Sequence, residues 1–140
     1  MKKSVTQFRQ LNMGWNAHPV DPRPVVKIQG EDVLLAFVLN HILFRNFKEG
    51  SVGLLKFSNC MNYRVGPSDE EGWSFGQCRF SGLAPQWGEF YEVIGDARIE
   101  RAPTDWVDVN LALPAKRHFL FYLKDRTFEA VAAGWSFHLL

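Results

Sequence analysis

Residues 117–137 read RHFLFYLKDRTFEAVAAGWSF, and this stretch decides the fold. His118 to Leu123 hold three aromatic residues and two leucines, with no helix cap ahead of them. Aromatic enrichment over so short a run points to a strand. Lys124-Asp125-Arg126 is the polar break, and Thr127 to Ala133 forms the returning strand. A two-residue loop at Asp125-Arg126 pairs Leu123 with Phe128, Tyr122 with Glu129 and Phe121 with Ala130. One face then gathers Phe119, Phe121, Leu123, Phe128, Ala130 and Ala132 and is wholly apolar. The other carries His118, Leu120, Tyr122, Glu129, Val131 and Ala133, a mixed set that suits a half-covered face. No Asn-Gly or Asp-Gly marks a tight primed turn, so a loop of three to five residues is an equal alternative. Gly134 then introduces either a bulge or one more short strand at Trp135–Phe137.

Working outward, 140 residues suit one domain, 1–140, that buries roughly two thirds of its unfolded surface without disulfide or metal. Aromatic residues make up 14% of the chain, with 12 Phe and 5 Trp, which favours a sheet-rich core. A net charge of +1 argues against nucleic acid or an anionic membrane as partner. No apolar run approaches the roughly 18 residues of a membrane span, and no apolar segment follows Lys2-Lys3 as a signal peptide requires. Cys60 and Cys78, outside any Cys-x-x-Cys, are expected to be reduced core thiols.

Taken in order, 1–10 is a short helix or a frayed arm. Residues 1–24 form an irregular lead-in, because three prolines, Gly14 and two asparagines interrupt Asn12 to Pro24. Trp15 reads as a plug tying that lead-in down; the functional alternative makes Trp15 and His18 a binding lip. Val25–Ile28 is a short strand. Val33–Leu39 is apolar throughout and reads as a strand buried on both faces, with a helix as the rival. His41 belongs to a loop or single turn over 40–47. Val52–Phe57 is a strand that Ser58–Val65 continues or bulges. Residues 68–76 form an acidic loop, Cys78–Phe80 a short strand, Gln86–Ile94 another, Gly95-Asp96 a turn, 97–100 a brief strand and Trp106–Leu113 a weaker one. Some eight short antiparallel strands, broken by Gly and Pro, fit a mostly-β sandwich or barrel with at most one or two short helices. An α+β version is the alternative.

Chemistry has two candidate locations. Asp69-Glu70-Glu71-Gly72-Trp73 sets three carboxylates beside an aromatic residue, which suits acid–base work, a hard cation or a solvated turn. The mixed hairpin face offers His118, Tyr122 and Glu129. In the register above, Glu129 faces Tyr122 and stands four residues from His118, roughly 13 Å away at 3.3 Å per residue. A Tyr122–Glu129 contact is therefore expected rather than a His118–Glu129 dyad. The binding set is Trp73, Asp69, Glu70, Glu71 and Tyr122; His118, Glu129 and Glu71 are the catalytic candidates. No phosphate loop, nucleophile elbow or zinc-helix motif is present. No cofactor and no metal ligand set is indicated.

Three blocks, GPSDEEGWSFGQCRF (66–80), APQWGEFYEVIGD (84–96) and HFLFYLKDRTFE (118–129), resemble a family of small uncharacterised bacterial proteins. In that family an Asn-Asp-Glu-Gly-Trp block and a His-Phe-x-Phe-Tyr…Asp-x-Thr-Phe-Glu block recur. The likeness covers roughly half the chain. Asp69 stands where the family usually has Asn, and Ala130 where a Cys often follows the Glu. The resemblance implies a bacterial, cytoplasmic protein and no particular activity.

The expectation for function is a binding or interaction module that engages a protein partner or itself, as a homodimer or an immunity-type blocking protein. The alternative is an enzyme or metal-dependent site built from residues 69–71 with His118 and Glu129. The absence of a catalytic motif leans away from it.

Overall fold

The computed structural model describes residues 6–95 and 102–140. Asp96 and the brief strand expected at 97–100 lie outside that range. The elements are β1 (Gln7–Gln10), β2 (Val25–Gln29), β3 (Asp32–Val38), β4 (Val52–Pro67), α1 (Glu70–Ser74), β5 (Phe90–Ile94), β6 (Val107–Asp108), β7 (Arg117–Tyr122) and β8 (Arg126–Leu139). All described pairings are antiparallel. The strands build one sheet in the order β1-β5-β7-β8-β4-β3-β2, with β6 attached to β4. The mostly-β expectation holds. The strands share a single sheet, whose outer strands β1 and β2 do not meet to close a barrel.

The sheet curls instead. Phe37 on β3 and Phe121 on β7 are separated by two strands in the sheet order, yet their rings meet edge to face at 5.3 Å. Phe57 on β4 reaches Phe90 on β5 at 6.0 Å across two further strands. Two strands are long rather than short: β4 has 16 residues and β8 has 14, and they pair along nearly their whole length. A bulge between Cys60 and Asn62 accommodates the bend. Asn59 beside it takes a left-handed φ of 49°. β8 runs through Gly134 without a break, so the irregularity sits in β4 rather than at the glycine.

The concave face holds the main core. Phe119, Phe121, Leu123, Phe128, Ala130 and Ala132, the six residues expected on the apolar hairpin face, all lie in it. Each fully buried ring of this kind contributes roughly 1.5–3 kcal/mol. Trp15, 5% exposed, plugs the open side and stacks on Phe137 at 4.3 Å. It acts as the plug, and His18 nearby is half-buried.

The hairpin register differs from the expected one by two residues. Phe121 faces Phe128, Leu120 faces Glu129 and Tyr122 faces Thr127. The chain turns over Lys124-Asp125, with the Leu123 amide donating to the Arg126 carbonyl at 2.8 Å. An even slip leaves every side chain on its original face, so the hydrophobic pattern could not distinguish the two registers.

Other local expectations are corrected. Residues 7–10 form edge strand β1 rather than a helix or arm, because they pair with β5. Strand β3 buries one face only; Leu34, Ala36 and Val38 on the other are half-buried. The acidic loop is a helical turn, α1, because the Asp69 carboxylate caps it by accepting from the Gly72 amide at 2.6 Å. Cys78–Phe80 is a turn, with Phe80 at φ 66°. Of the strands expected at 86–94 and 106–113, only Phe90–Ile94 and Val107–Asp108 pair. The mixed hairpin face is not half-covered: His118, Leu120, Tyr122, Glu129 and Val131 are buried, and Ala133 alone is exposed. Its cover is the segment after β4, whose Phe80 and Ala84 pack with Leu120, Tyr122, Tyr91 and Val93.

Candidate functional site

Two places bring together the residues that carry chemistry. The first is buried under the covering segment. β7, β8 and β4 are adjacent, and their outer faces present His118, Glu129 and Arg64 respectively. Arg64 lies directly opposite Glu129. His118 is on the diagonal, opposite Val131, a position from which a long side chain can reach. His118 Nε2 is 2.6 Å from Glu129 Oε1, and Arg64 Nη1 donates to Glu129 Oε2 at 2.7 Å. Arg79, from the covering segment, donates to Oε1 from Nε at 3.1 Å. Arg64 also forks onto Asp105 through Nε and Nη2, at 2.7 and 3.2 Å.

The expected 13 Å separation is thus corrected to a hydrogen bond, and the expected Tyr122–Glu129 pairing is replaced by Tyr122–Thr127. Glu129 has no solvent exposure. Burial by itself pushes its pKa up, but the His118 hydrogen bond and the charges of His118, Arg79 and Arg64 outweigh it and hold the carboxyl below its usual range. An ionised carboxylate only accepts, so His118 Nε2 must carry the hydrogen. His118 Nδ1 is buried with no hydrogen-bond partner. Gly66 makes room for this arrangement, since a Cβ there would sit 2.3 Å from Arg64 Nη2.

The second place is a surface cleft of about 480 Å3. It is lined by Asn16, His18 and Pro19 of the lead-in and by Asp69, Glu70 and Glu71 at the start of α1. Trp87 and Tyr122, stacked at 4.8 Å, also line it, and Lys124 and Asp125 come from the hairpin turn. The lead-in is held in place by the Ala17–Leu39 bridge and by Asn16 Nδ2, which donates to the Gly88 carbonyl at 2.8 Å. Ser68 at the foot of α1 bonds to Thr127 and, through its amide, to the Asp125 carbonyl at 3.2 Å.

Of the expected binding residues, Asp69, Glu70, Glu71 and Tyr122 line this cleft, and Trp73 does not. Trp73 is half-buried and fastens α1 to the hairpin, its ring 6.3 Å from Tyr122 and 6.4 Å from Trp87. Its indole N–H leans toward the Tyr122 oxygen, but neither atom completes a hydrogen bond. Of the catalytic candidates, His118 and Glu129 meet in the buried network while Glu71 lies in the cleft, so the three do not form one site. Among the described residues, no group of three His, Cys, Asp or Glu could hold a metal ion. Cys60 and Cys78 are free thiols, the first buried and the second half-buried.

Sequence reasoning missed Arg64, Arg79, Asp105 and Trp87. A signal existed for the arginines. Glu129 is the one charge in the apolar run 127–133, and a carboxylate buried there demands cationic partners. No family model matches this chain, and no curated protein or solved structure matches it either.

Proposed function

We propose that this protein is a small binding module, with the cleft between α1 and the lead-in as its recognition site. The supporting observation is the cleft itself. Segments from five parts of the chain converge on a concavity of ligand size, and backbone or side-chain hydrogen bonds tie them in place. The buried histidine and glutamate, by contrast, are fully enclosed and bonded to one another and to arginines. A group so enclosed supports the sheet and does not touch a ligand. The occupant of the cleft is a small molecule or a side chain of a protein partner. Phe75, 71% exposed one residue past α1, offers an apolar contact for a partner or a second copy. The resemblance of residues 66–80, 84–96 and 118–129 to blocks of small bacterial proteins is what supports a bacterial, cytoplasmic setting.

Protein-observed NMR against a fragment and peptide collection tests this. Binding should move the amides of 69–71 and 124–125 and the Trp87 indole signal first. Hits confined to the edge strands β1 or β2 would overturn the reading, and light scattering would then separate self-association from a foreign partner.

The enzyme reading retains one supporting observation, the His118–Glu129 contact with Nδ1 left open. It requires Nδ1 to meet solvent. Diethyl pyrocarbonate should modify His118 only after unfolding; rapid modification in the folded protein would favour catalysis. For a cation-dependent site, an ion binding at one hundredth of its concentration would add roughly 2.7 kcal/mol to stability.

A further inference from the structure

We infer that the concave face of the sheet carries a further binding site, separate from the cleft, which takes a small apolar monocarboxylate with its tail inward and its head at Arg126. The sheet does not close, so its concave face must be filled from elsewhere. Trp15 does this beside Phe37 and Phe137. Beside Phe128 a cavity of about 350 Å3 is left instead, at the lower end of the roughly 300–1,000 Å3 of small-molecule pockets. Strand register turns its lining side chains to this face. Val26 lies opposite Leu35, Val65 opposite Phe128 and Tyr63 opposite Ala130, and all six belong to the main core or pack on it. Tyr63 stacks on Phe128 at 6.1 Å with 22° between the rings. Leu35 and Phe128 have no solvent exposure, whereas Val26, Tyr63 and Val65 are half-buried. The cavity is therefore apolar at depth and open at its rim. Leu123 is the one residue it shares with the cleft.

The charge at the rim selects the head group. Asp105 and Arg126 are the two charged residues that line the cavity. Asp105 is already met by Arg64, which forks onto it through Nε and Nη2. Arg126 makes no ion pair among the described residues, and no side-chain hydrogen bond either. It stands two residues before Phe128 in β8, so the period of two sends its side chain to the same concave face. An uncommitted guanidinium over an apolar cavity complements an anion, and its planar fork matches a carboxylate. The Asp105 carboxylate beside it disfavours a dianion such as a phosphate monoester, which leaves a singly charged head. The apolar depth offers water few of the polar partners that hold it in place, so an apolar tail displaces it at little cost. Together these features describe a medium-chain or aromatic monocarboxylate.

The test is a methyl-detected NMR titration of the whole protein with butanoate, hexanoate and octanoate. Octanamide and octylammonium serve as the neutral and cationic controls. Octanoate should saturate with shifts at Val26, Leu35, Val65 and Leu123. Each added methylene should tighten binding roughly fourfold until the tail fills the cavity. Arg126→Gln removes an exposed charge that holds nothing in the fold. It should weaken octanoate at least tenfold and leave octanamide binding unchanged. Val65→Phe fills the cavity and should abolish binding of every chain length; if that variant does not fold, the chain-length series and Arg126→Gln decide alone. Octanamide binding as tightly as octanoate, or octanoate binding intact in Arg126→Gln, would overturn the carboxylate assignment. Tighter binding by octylammonium would give the rim to Asp105 and overturn it too. If no probe gives saturable shifts at these methyls, the cavity is not a ligand site and the inference fails outright. Shifts confined to residues 69–71 would place the carboxylates in the α1 cleft, which sinks this inference and leaves the cleft reading standing.

Discussion

His118 and Glu129 lie on neighbouring strands two positions out of direct opposition, and their side chains close that diagonal to a 2.6 Å hydrogen bond. Both are buried, and Arg64 and Arg79 bring two positive charges to the same carboxylate. Four polar groups are thus committed to each other inside an otherwise aromatic cover.

The network depends on the Glu129 charge. Glu129→Gln keeps the shape and an acceptor for His118 but removes the buried charge that Arg64 and Arg79 both meet, while Arg64 keeps its fork onto Asp105. Removing one partner of a buried pair costs about 3–5 kcal/mol, and urea unfolding should register a loss in that range. A loss below about 1 kcal/mol would mean that water reaches the arginines.

Acid should destabilise the fold through the same residues. Glu129 has a folded pKa below its ordinary value for the reasons above, Glu92 through its hydrogen bonds and charge from Arg117 and Arg9, and Asp105 through Arg64. A depressed carboxyl contributes stability that is fully present above the unfolded values of about 4.3 for Glu and 3.9 for Asp, and is lost as pH falls through the folded values. Tm should be level from pH 7 to about 5 and fall steadily below about 4.5. Glu92→Gln should lower the plateau and flatten the decline. A Tm that rises on acidification would contradict the ion-pair assignments.

Space beside Gly66 is filled by the Arg64 guanidinium. Gly66→Ala must displace a group fixed by Glu129 and Asp105, and overpacking of that kind costs about 1–3 kcal/mol. Measurement of Gly66→Ala in an Arg64→Ala background separates the causes, since the penalty should largely vanish there.

The two thiols should react very differently. Burial pushes the Cys60 thiol up to about 12, and nucleophilic attack needs the thiolate. Iodoacetamide at pH 8 should alkylate half-buried Cys78 in the native protein and reach Cys60 only on unfolding. Mass spectrometry of the digested protein reads this directly, and native labelling of Cys60 would show that the β4 bulge opens.

Loss of Trp15 should be costly and local. Its ring stacks on Phe137 and touches Phe37, Phe90 and Phe121. Trp15→Ala should remove about 3–5 kcal/mol, and hydrogen exchange should show the lead-in wall of the cleft loosening before β7 and β8. Uniform loss of protection would mean instead that Trp15 holds the whole sheet together.

The sequence alone determined which side chains turn inward. The alternation along 118–132 places Phe119, Phe121, Leu123, Phe128, Ala130 and Ala132 on one face in either hairpin register, because a slip of two residues preserves a period of two. It likewise determined the strand-rich class, since Gly and Pro leave few stretches long enough for a helix. The register, the curl of the sheet and both candidate sites were decided by tertiary structure. Glu129 meets His118 because β4 delivers Arg64 opposite it and the covering segment delivers Arg79, contacts made 65 and 50 residues away in sequence. The cleft arises in the same way, from a lead-in, a helical turn, a loop and a hairpin tip with no shared local pattern. Periodicity reports the environment of one strand; it carries no information about which distant charge the fold will place beside it.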